Sequence, residues 1–255
     1  MIDEGPGAEW RSADAYADLF SCDRRFFAWE WLRRSPAYRR LWRNRDRLPR
    51  DALSETGLVD WVDPAIAAPH ARPIWNGRID PAVLDGHPVE GPQPNVFACD
   101  LFDIRSVAPF VSVAVDSSEH WLVSDGRWVV RLDLHDGTLL GGPLLIEHRM
   151  AGLQSVAPKL AALRRLIALA ANGALPSSMT PRERRAGQWI LELRVADALL
   201  AGATQQEIAR RLYYGAVSAP DWRIENAAYR SRVQRLVRKA RRQLARPLAG
   251  PWFER

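Results

Sequence analysis

The stretch Thr204-Gln-Gln-Glu-Ile-Ala-Arg-Arg-Leu212, followed after a loop by Asn226-Ala-Ala-Tyr-Arg-Ser-Arg-Val-Gln-Arg-Leu-Val-Arg-Lys-Ala-Arg-Arg-Gln-Leu244, decides the fold of the C-terminal region. Thr204 and Glu207 have the spacing of a capping box, in which each side chain satisfies a backbone N–H of the other residue. The spacing therefore predicts a short helix that begins after Thr204. Its predicted core face consists of Ile208, Ala209 and Leu212. This pattern is typical of the first helix of a helix-turn-helix.

The second segment predicts a longer helix with one apolar stripe. Apolar residues recur at intervals of three and four, and they are Val233, Leu236, Val237, Ala240 and Leu244. At about 100° per residue, the opposite side of the helix is polar and basic. No acidic residue occurs between positions 226 and 246. Like charges on one helix face repel each other, so this face indicates an anionic partner. A solvated basic face with no ligand is the alternative.

We predict that the basic face of this helix binds double-stranded DNA. If the helix enters a major groove, the outward residues of its N-terminal half are best placed to contact base edges; they are Arg230, Ser231, Gln234 and Arg235. The later residues are expected to contact phosphates, and they are Arg238, Lys239, Arg241 and Arg242. Arg232 flanks the polar face and is also expected to bind DNA. The ten-residue span Tyr213–Trp222 is longer than a usual tight turn. Groove entry and phosphate contact alone therefore both stay open.

The charge distribution points to the same end of the chain. Of the 255 residues, the first 50 carry a net charge of +3, residues 51–179 carry −6, and residues 180–255 carry +9. A basic segment of this kind is the electrostatic footprint of a protein that binds a polyanion. No apolar run approaches the ~18 residues of a membrane span, so no membrane partner is expected. Two cysteines far apart in sequence predict no disulfide framework and a cytoplasmic location.

The pattern of elements predicts an α+β fold in three segments. Residues 1–50 form an N-terminal helical unit, residues 51–104 form a proline-rich connector, and residues 105–255 combine a small antiparallel β-meander with a C-terminal helix-turn-helix-like bundle. Four strands are expected, the last over Thr138–Ile146, because period-two segments are joined by turn residues. A helix over Val156–Ala171 should bury Leu160, Leu163 and Ile167, and Thr180 should cap the next helix.

The N-terminal unit is dense in tryptophan and arginine. Its tryptophans are Trp10, Trp29, Trp31 and Trp42, and they stand among eleven arginines. Aromatic residues interleaved with bases can stack on nucleic acid. Alternatively, three short helices use these tryptophans as a core, and this is the interpretation that we favour.

Parts of the chain resemble a known family. The segment Leu199-Leu-Ala-Gly-Ala-Thr-Gln-Gln-Glu-Ile-Ala-Arg-Arg-Leu-Tyr-Tyr-Gly215, followed by Trp222 and Arg230–Ala240, resembles the RovC-like DNA-binding domain of proteobacterial transcription factors. Trp10–Tyr16, Phe27–Arg34 and Tyr38 resemble the transcriptional-regulator-like domain that is often fused to it. The resemblance implies a regulator of type VI secretion or of integrative conjugative elements, and we expect this regulator to be an activator. It also implies DNA binding, self-association, and other regulators or RNA polymerase as partners.

The sequence contains little that indicates an enzyme active site. The five histidines, His70, His87, His120, His135 and His148, are dispersed without the spacing of metal ligands. We therefore expect no enzyme activity, no metal and no cofactor. A distant alternative is a metal-dependent nuclease or recombinase that uses Asp100 and Asp103. A closer alternative is an antiactivator or adaptor, in which the arginine-rich helix binds an acidic surface of another regulator.

Overall fold

The computed structural model describes residues 9–91, 96–213 and 227–254. Within these ranges the chain forms six α-helices and five β-strands, which are α1 (Arg24–Arg34), α2 (Pro36–Asn44), β1 (Leu84–Pro88), β2 (Val111–Val115), β3 (Glu119–Val123), β4 (Val130–Leu134), β5 (Ile146–His148), α3 (Val156–Asn172), α4 (Ala186–Leu200), α5 (Gln205–Leu212) and α6 (Ala227–Ala245). Short 3-10 helices include Asp14–Ser21, Arg50–Thr56, Ile104–Phe110 and Pro247–Ala249. This architecture confirms the predicted α+β class.

The contacts group the chain into two units, each built from segments that are distant in sequence. Unit 1 comprises Met1–Leu48, Asp63–Pro69 and Arg182–Trp252, and unit 2 comprises Pro49–Val62, His70–Pro181 and Phe253–Arg255. Unit 1 contains helices α1, α2, α4, α5 and α6, whereas unit 2 contains the sheet and α3. The segment boundaries 1–50, 51–104 and 105–255 stay a prediction.

Aromatic residues form the core of unit 1. The Phe27 and Trp189 rings lie 5.0 Å apart between their centroids, and Trp252 lies 4.8 Å from Trp189. These three rings join α1, α4 and the segment that follows α6. Trp10, Trp29 and Trp31 are also buried, which confirms that these N-terminal tryptophans are core residues. Trp42 is half-buried and lies beneath the Arg45 guanidinium.

A buried ionic network also holds α1 against α4. Arg34 donates two hydrogen bonds to the Asp197 carboxylate, from Nε to Oδ1 at 2.7 Å and from Nη2 to Oδ2 at 2.8 Å. Its Nη1 donates to the carboxylate of Glu30, which also accepts from Arg33 Nε at 2.9 Å. The Tyr16 hydroxyl donates to Asp197 Oδ2 at 2.6 Å. The N-terminal segment is thereby bound to the helix that precedes the predicted DNA-binding pair.

The sheet of unit 2 has the strand order β2-β3-β4-β1-β5. Strands β2, β3 and β4 pair in succession as antiparallel neighbours, as the predicted meander requires. Strand β1 then pairs parallel to β4 and antiparallel to β5. Helix α3 packs against β1 and β4, so one face of the sheet is covered by a helix.

The fourth predicted strand is wrong over most of its length. Within Thr138–Ile146, the chain forms a 3-10 helix at Leu139–Gly141, and β5 begins only at Ile146. Strand β5 pairs with β1, which lies in the predicted connector. Leu84-Asp-Gly-His-Pro88 has no period-two pattern and contains glycine and proline, which weaken strand propensity. Its pairing depends on strands distant in sequence.

Two helix predictions also need correction. Helix α3 buries Ala162, Leu166 and Leu169, whereas Leu160 is 42% and Ile167 is 60% exposed. Leucine and alanine occur on several faces of α3, so the periodicity does not select the face that the sheet covers. Helix α4 begins at Ala186 rather than after Thr180. The Glu183 carboxylate accepts from the Arg185 N–H at 2.9 Å and pairs with Arg24 at 3.0 Å, so this acid organises the turn before the helix.

None of the helices in the described parts of the chain combines the length and the hydropathy that a bilayer crossing requires.

Candidate nucleic-acid interface

The capping box at the start of α5 is confirmed. The Glu207 N–H donates to Thr204 Oγ1 at 3.3 Å, and the Thr204 N–H donates to Glu207 Oε2 at 2.7 Å. The Thr204 N–H and the Thr204 hydroxyl both donate to the Glu207 carboxylate, and these two hydrogen bonds lower the pKa of Glu207 because they favour its charged form. Ile208 and Ala209 are fully buried, and α5 packs against α6. The box therefore fixes where the helix that supports α6 begins.

Replacing Thr204 with alanine is expected to lower the thermal midpoint by about 2–4 °C, because an N-cap is lost from a protein of this size. The contribution of the ionised Glu207 carboxylate to the stability of the folded state is complete above its unfolded pKa of about 4.3. It is lost as the pH falls through the lowered folded-state pKa. The difference in midpoint between the two proteins should therefore shrink as the pH falls below the ordinary pKa of a glutamate, about 4.3. Thermal melts followed by circular dichroism at several pH values measure this difference in midpoint.

The matched control is Thr180→Ala, because Thr180 caps no α-helix. We expect its midpoint to stay within about 1 °C of the wild type, as for most surface substitutions. An equal loss in Thr180→Ala and Thr204→Ala would contradict the capping role.

Two tyrosines connect α5 with α6. The rings of Tyr213, at the end of α5, and Tyr229, in the first turn of α6, lie 5.0 Å apart between their centroids. Of the predicted span Tyr213–Trp222, only Tyr213 lies within the described residues, and Trp222 of the family resemblance lies outside them. This contact between the two tyrosines was not predicted from the sequence. The tyrosine content of the two helix ends was the signal that could have suggested it.

The predicted apolar stripe of α6 faces the interior of unit 1. Val233, Leu236, Val237 and Ala240 are buried, and Leu244 is half-buried. Through this stripe, α6 packs against α4, α5 and α1. The rotation of α6 about its own axis is therefore set by apolar packing, and this rotation decides which side chains face solvent.

The outward face of α6 carries most of the predicted DNA-binding residues. Those that are exposed are Ser231, Arg232, Gln234, Arg235, Arg238, Lys239, Arg241 and Arg242. Arg230 is half-buried. Ser231, Arg235, Arg238 and Arg242 are spaced so that they lie along one line opposite the buried stripe. We call these four residues and their exposed neighbours on α6 the arginine face.

One member of the arginine face already has an acidic partner. Lys239 Nζ donates to Glu192 Oε1 at 2.8 Å, and the Glu192 side chain is only 2% exposed. Gln188 Nε2 donates to the same oxygen at 2.7 Å. A buried carboxylate needs such a partner because an unpaired charge is costly to bury. Lys239 thus stabilises the contact between α4 and α6, and the sequence did not reveal this role because Glu192 lies on another helix.

The acids of the nuclease alternative have structural roles. The Asp103 carboxylate accepts from the Arg105 N–H at 2.9 Å and pairs with the Arg105 guanidinium at 2.6 Å. These contacts lower the pKa of Asp103. Asp100 Oδ2 accepts from the Phe97 N–H at 2.8 Å. Among the described residues, neither acid belongs to a group that could hold a metal ion.

The comparisons with known proteins agree with this arrangement. Residues 150–246, from just before α3 to just after α6, match the family model of the RovC DNA-binding domain, described as a type VI secretion system transcription factor DNA-binding domain. Residues 9–62 match the proteobacterial transcriptional regulator-like domain. No curated protein and no solved structure is significantly similar to the chain. The chain therefore carries a RovC-type DNA-binding domain joined to an N-terminal proteobacterial transcriptional regulator-like domain, the combination of a transcription factor.

Proposed function

We propose that the protein is a sequence-specific transcriptional activator that binds double-stranded DNA through the arginine face of α6. The observation that carries the proposal is the uninterrupted exposure of basic side chains along this face, on a helix without a single acid. A solvated surface helix normally mixes charges of both signs, which stabilises it through pairs three and four residues apart. A helix that has no acid of its own and exposes a row of arginines is suited to an anionic ligand.

The dimensions of α6 support a groove-bound helix. The B-DNA major groove is about 12 Å wide and admits an α-helix. Arg235 and Arg242 are seven residues apart, so they are separated by about 10 Å along the helix axis. An exposed helix of this length can contact base edges with its first turns and phosphates with its last. In this arrangement Arg235 would contact a base and Arg242 a phosphate.

The protein would act without enzymatic chemistry of its own. The partners proposed with it are double-stranded DNA, a second copy of the chain, and RNA polymerase or another regulator. The antiactivator reading uses the same arginine face for an acidic protein surface. The two functions differ in whether DNA is bound with sequence preference.

Selection of bound genomic fragments at physiological salt tests the proposal directly. The purified full chain is incubated with fragmented genomic DNA and competitor DNA, and bound fragments are sequenced. We expect enrichment of a few promoter fragments, and a reporter that carries one of them should be transcribed more strongly when the protein is present. Absence of any preferred fragment would refute sequence-specific binding, and repression of the reporter would refute activation.

Single substitutions separate the two proposed roles within the arginine face. Arg235→Ala should cost about 1–3 kcal/mol of binding free energy on the selected site and relax sequence preference. Arg242→Ala should weaken binding evenly across sequences and reduce the dependence of affinity on salt, because one phosphate contact contributes about 0.9 to the slope of log K against log salt. Fluorescence anisotropy on specific and scrambled duplexes measures both quantities.

The control is Arg78→Ala, which removes one exposed arginine from unit 2. We expect it to leave both the sequence preference and the salt slope close to those of the wild type. Equal and sequence-independent losses for Arg235→Ala and Arg242→Ala would contradict the assignment of separate roles.

A further inference from the structure

A cluster of two histidines and one aspartate lies on the sheet of unit 2. Asp85 and His87 are on β1, and His135 directly follows β4. The parallel register pairs Asp85 with Asp133 and Gly86 with Leu134, and the His135 N–H donates to the Gly86 carbonyl at 3.0 Å. Side chains two positions apart on a strand share a face. His87 and His135 are far apart in the sequence, but strand pairing brings them together.

The three side chains converge through their ligand atoms. His135 Nε2 lies 3.0 Å and His87 Nε2 lies 3.4 Å from Asp85 Oδ1. One ligand atom from each of the three residues lies within 4.8 Å of the others. Zinc binds histidine nitrogen and carboxylate oxygen at about 2.0–2.2 Å, so tetrahedral ligands are separated by about 3.3–3.5 Å. The separations from Asp85 are close to that value.

Asp85 Oδ1 is the atom that most needs a further partner. It is buried and has no hydrogen-bond partner among the described residues. The nearby imidazole nitrogens thus approach it without the geometry of a hydrogen bond. An unsatisfied carboxylate oxygen in such a position is costly. A cation bound between this oxygen and the two nitrogens would satisfy it.

The opposite ring nitrogens have oxygen neighbours, as metal-bound histidines do. Ser118 Oγ lies 2.8 Å from His135 Nδ1, and Asp136 Oδ2 lies 3.7 Å from His87 Nδ1. A ligating histidine usually donates its second ring N–H to an oxygen, which sets its tautomer and orientation. The two rings are also stacked, with centroids 5.0 Å apart and planes inclined by 26°. Ser118 therefore holds the His135 imidazole with Nε2 towards Asp85, whereas the Asp136 oxygen is too far from His87 Nδ1 for a hydrogen bond.

We propose that Asp85, His87 and His135 bind a divalent transition-metal ion of the Zn²⁺ class, with water completing the coordination. Imidazole nitrogens favour zinc and its neighbours in the transition series, whereas Mg²⁺ and Ca²⁺ prefer sites composed of oxygen ligands. The metal would connect β1 to the end of β4. It would thereby stabilise the folded state through mass action. These residues lie outside both segments that the family models match, so this site is independent of the proposed DNA contacts.

A zinc titration of the metal-free full chain tests the site. The exposed Cys99 is replaced by serine in every protein compared, and no histidine tag is present, so that neither competes for the ion. A colorimetric zinc chelator reports affinity and stoichiometry. We expect one Zn²⁺ per chain in the otherwise wild-type protein. Asp85→Asn and His135→Ala should each weaken zinc binding by about 100-fold, and Ser118→Ala by about 10-fold. Removing a metal ligand costs more affinity than removing a side chain that only hydrogen-bonds a ligand.

The matched control is His70→Ala, because His70 is exposed and not part of the cluster. It should retain the affinity of the parent protein. Circular dichroism of each metal-free variant checks its fold.

In the parent protein, Co²⁺ should give the intense visible absorption of four-coordinate cobalt, and Zn²⁺ should abolish it. Weak, aquo-like cobalt absorption, zinc affinity in Asp85→Asn and His135→Ala equal to that of the parent protein, or competition by Mg²⁺ at similar concentrations would overturn the proposal. The titration contains no DNA, so failure of the metal site leaves the proposed DNA-binding function unaffected.

Discussion

Arg34→Ala is expected to lower the free energy of unfolding by about 3–5 kcal/mol, the usual effect of removing one partner from a buried ion pair. Asp197 is completely buried and Glu30 is 2% exposed, so the substitution would leave two carboxylates without their shared guanidinium. Burial by itself lowers the pKa of Arg34, but the two carboxylates outweigh this effect and raise it. The arginine therefore keeps its charge in the buried network.

Urea unfolding measured by circular dichroism and by tryptophan fluorescence tests this expectation. Arg34→Lys should also destabilise the protein, because an ammonium group cannot donate the two parallel hydrogen bonds that Asp197 accepts. Arg40→Ala is the control, since Arg40 is an exposed arginine of α2. It should change the free energy by less than about 0.5 kcal/mol. Similar stability of Arg34→Ala and Arg40→Ala would show that the buried network does not hold α1 against α4.

Combined replacement of Arg235, Arg238 and Arg242 by alanine is expected to weaken DNA binding on the order of a thousandfold. Hydrogen bonds to charged groups contribute roughly 1.5–3 kcal/mol each, and a loss of about 4 kcal/mol corresponds to this factor. The two proposed phosphate contacts should also reduce the magnitude of the salt slope by about 2. These side chains are exposed and lie opposite the buried stripe, so the fold should be retained.

Anisotropy titrations across a series of salt concentrations measure the affinity and the slope. A control with the same change in net charge replaces Arg40, Arg47 and Arg78, which are exposed and lie outside α6. If both triple variants lost affinity equally, net charge rather than the arginine face would govern binding. If neither lost affinity, α6 would not be the DNA-contacting helix.

Local rules predicted α5 and α6 well. The capping box at Thr204 and the stripe from Val233 to Ala240 depend on contacts within a few residues along the chain, and these are confirmed. The α3 helix was predicted equally well in its extent, but its buried face was not. That face is selected by the sheet, and a leucine- and alanine-rich helix offers more than one apolar side. The extent of a helix depends on local propensity, whereas the face that it buries depends on the element against which it packs.

The α+β class, the order of most elements, the basic C-terminal region and the resemblance of the DNA-binding domain could all be recognised in the amino-acid sequence. The contacts between distant side chains became visible only in the folded chain. Arg34 reaches Asp197 because α1 packs against α4, and Asp85 and His87 reach His135 because β1 inserts beside β4. The physical reason is that helix starts and amphipathic faces arise from interactions between near neighbours. Strand pairing and buried ion pairs depend on residues far apart in sequence, whose proximity no local pattern encodes.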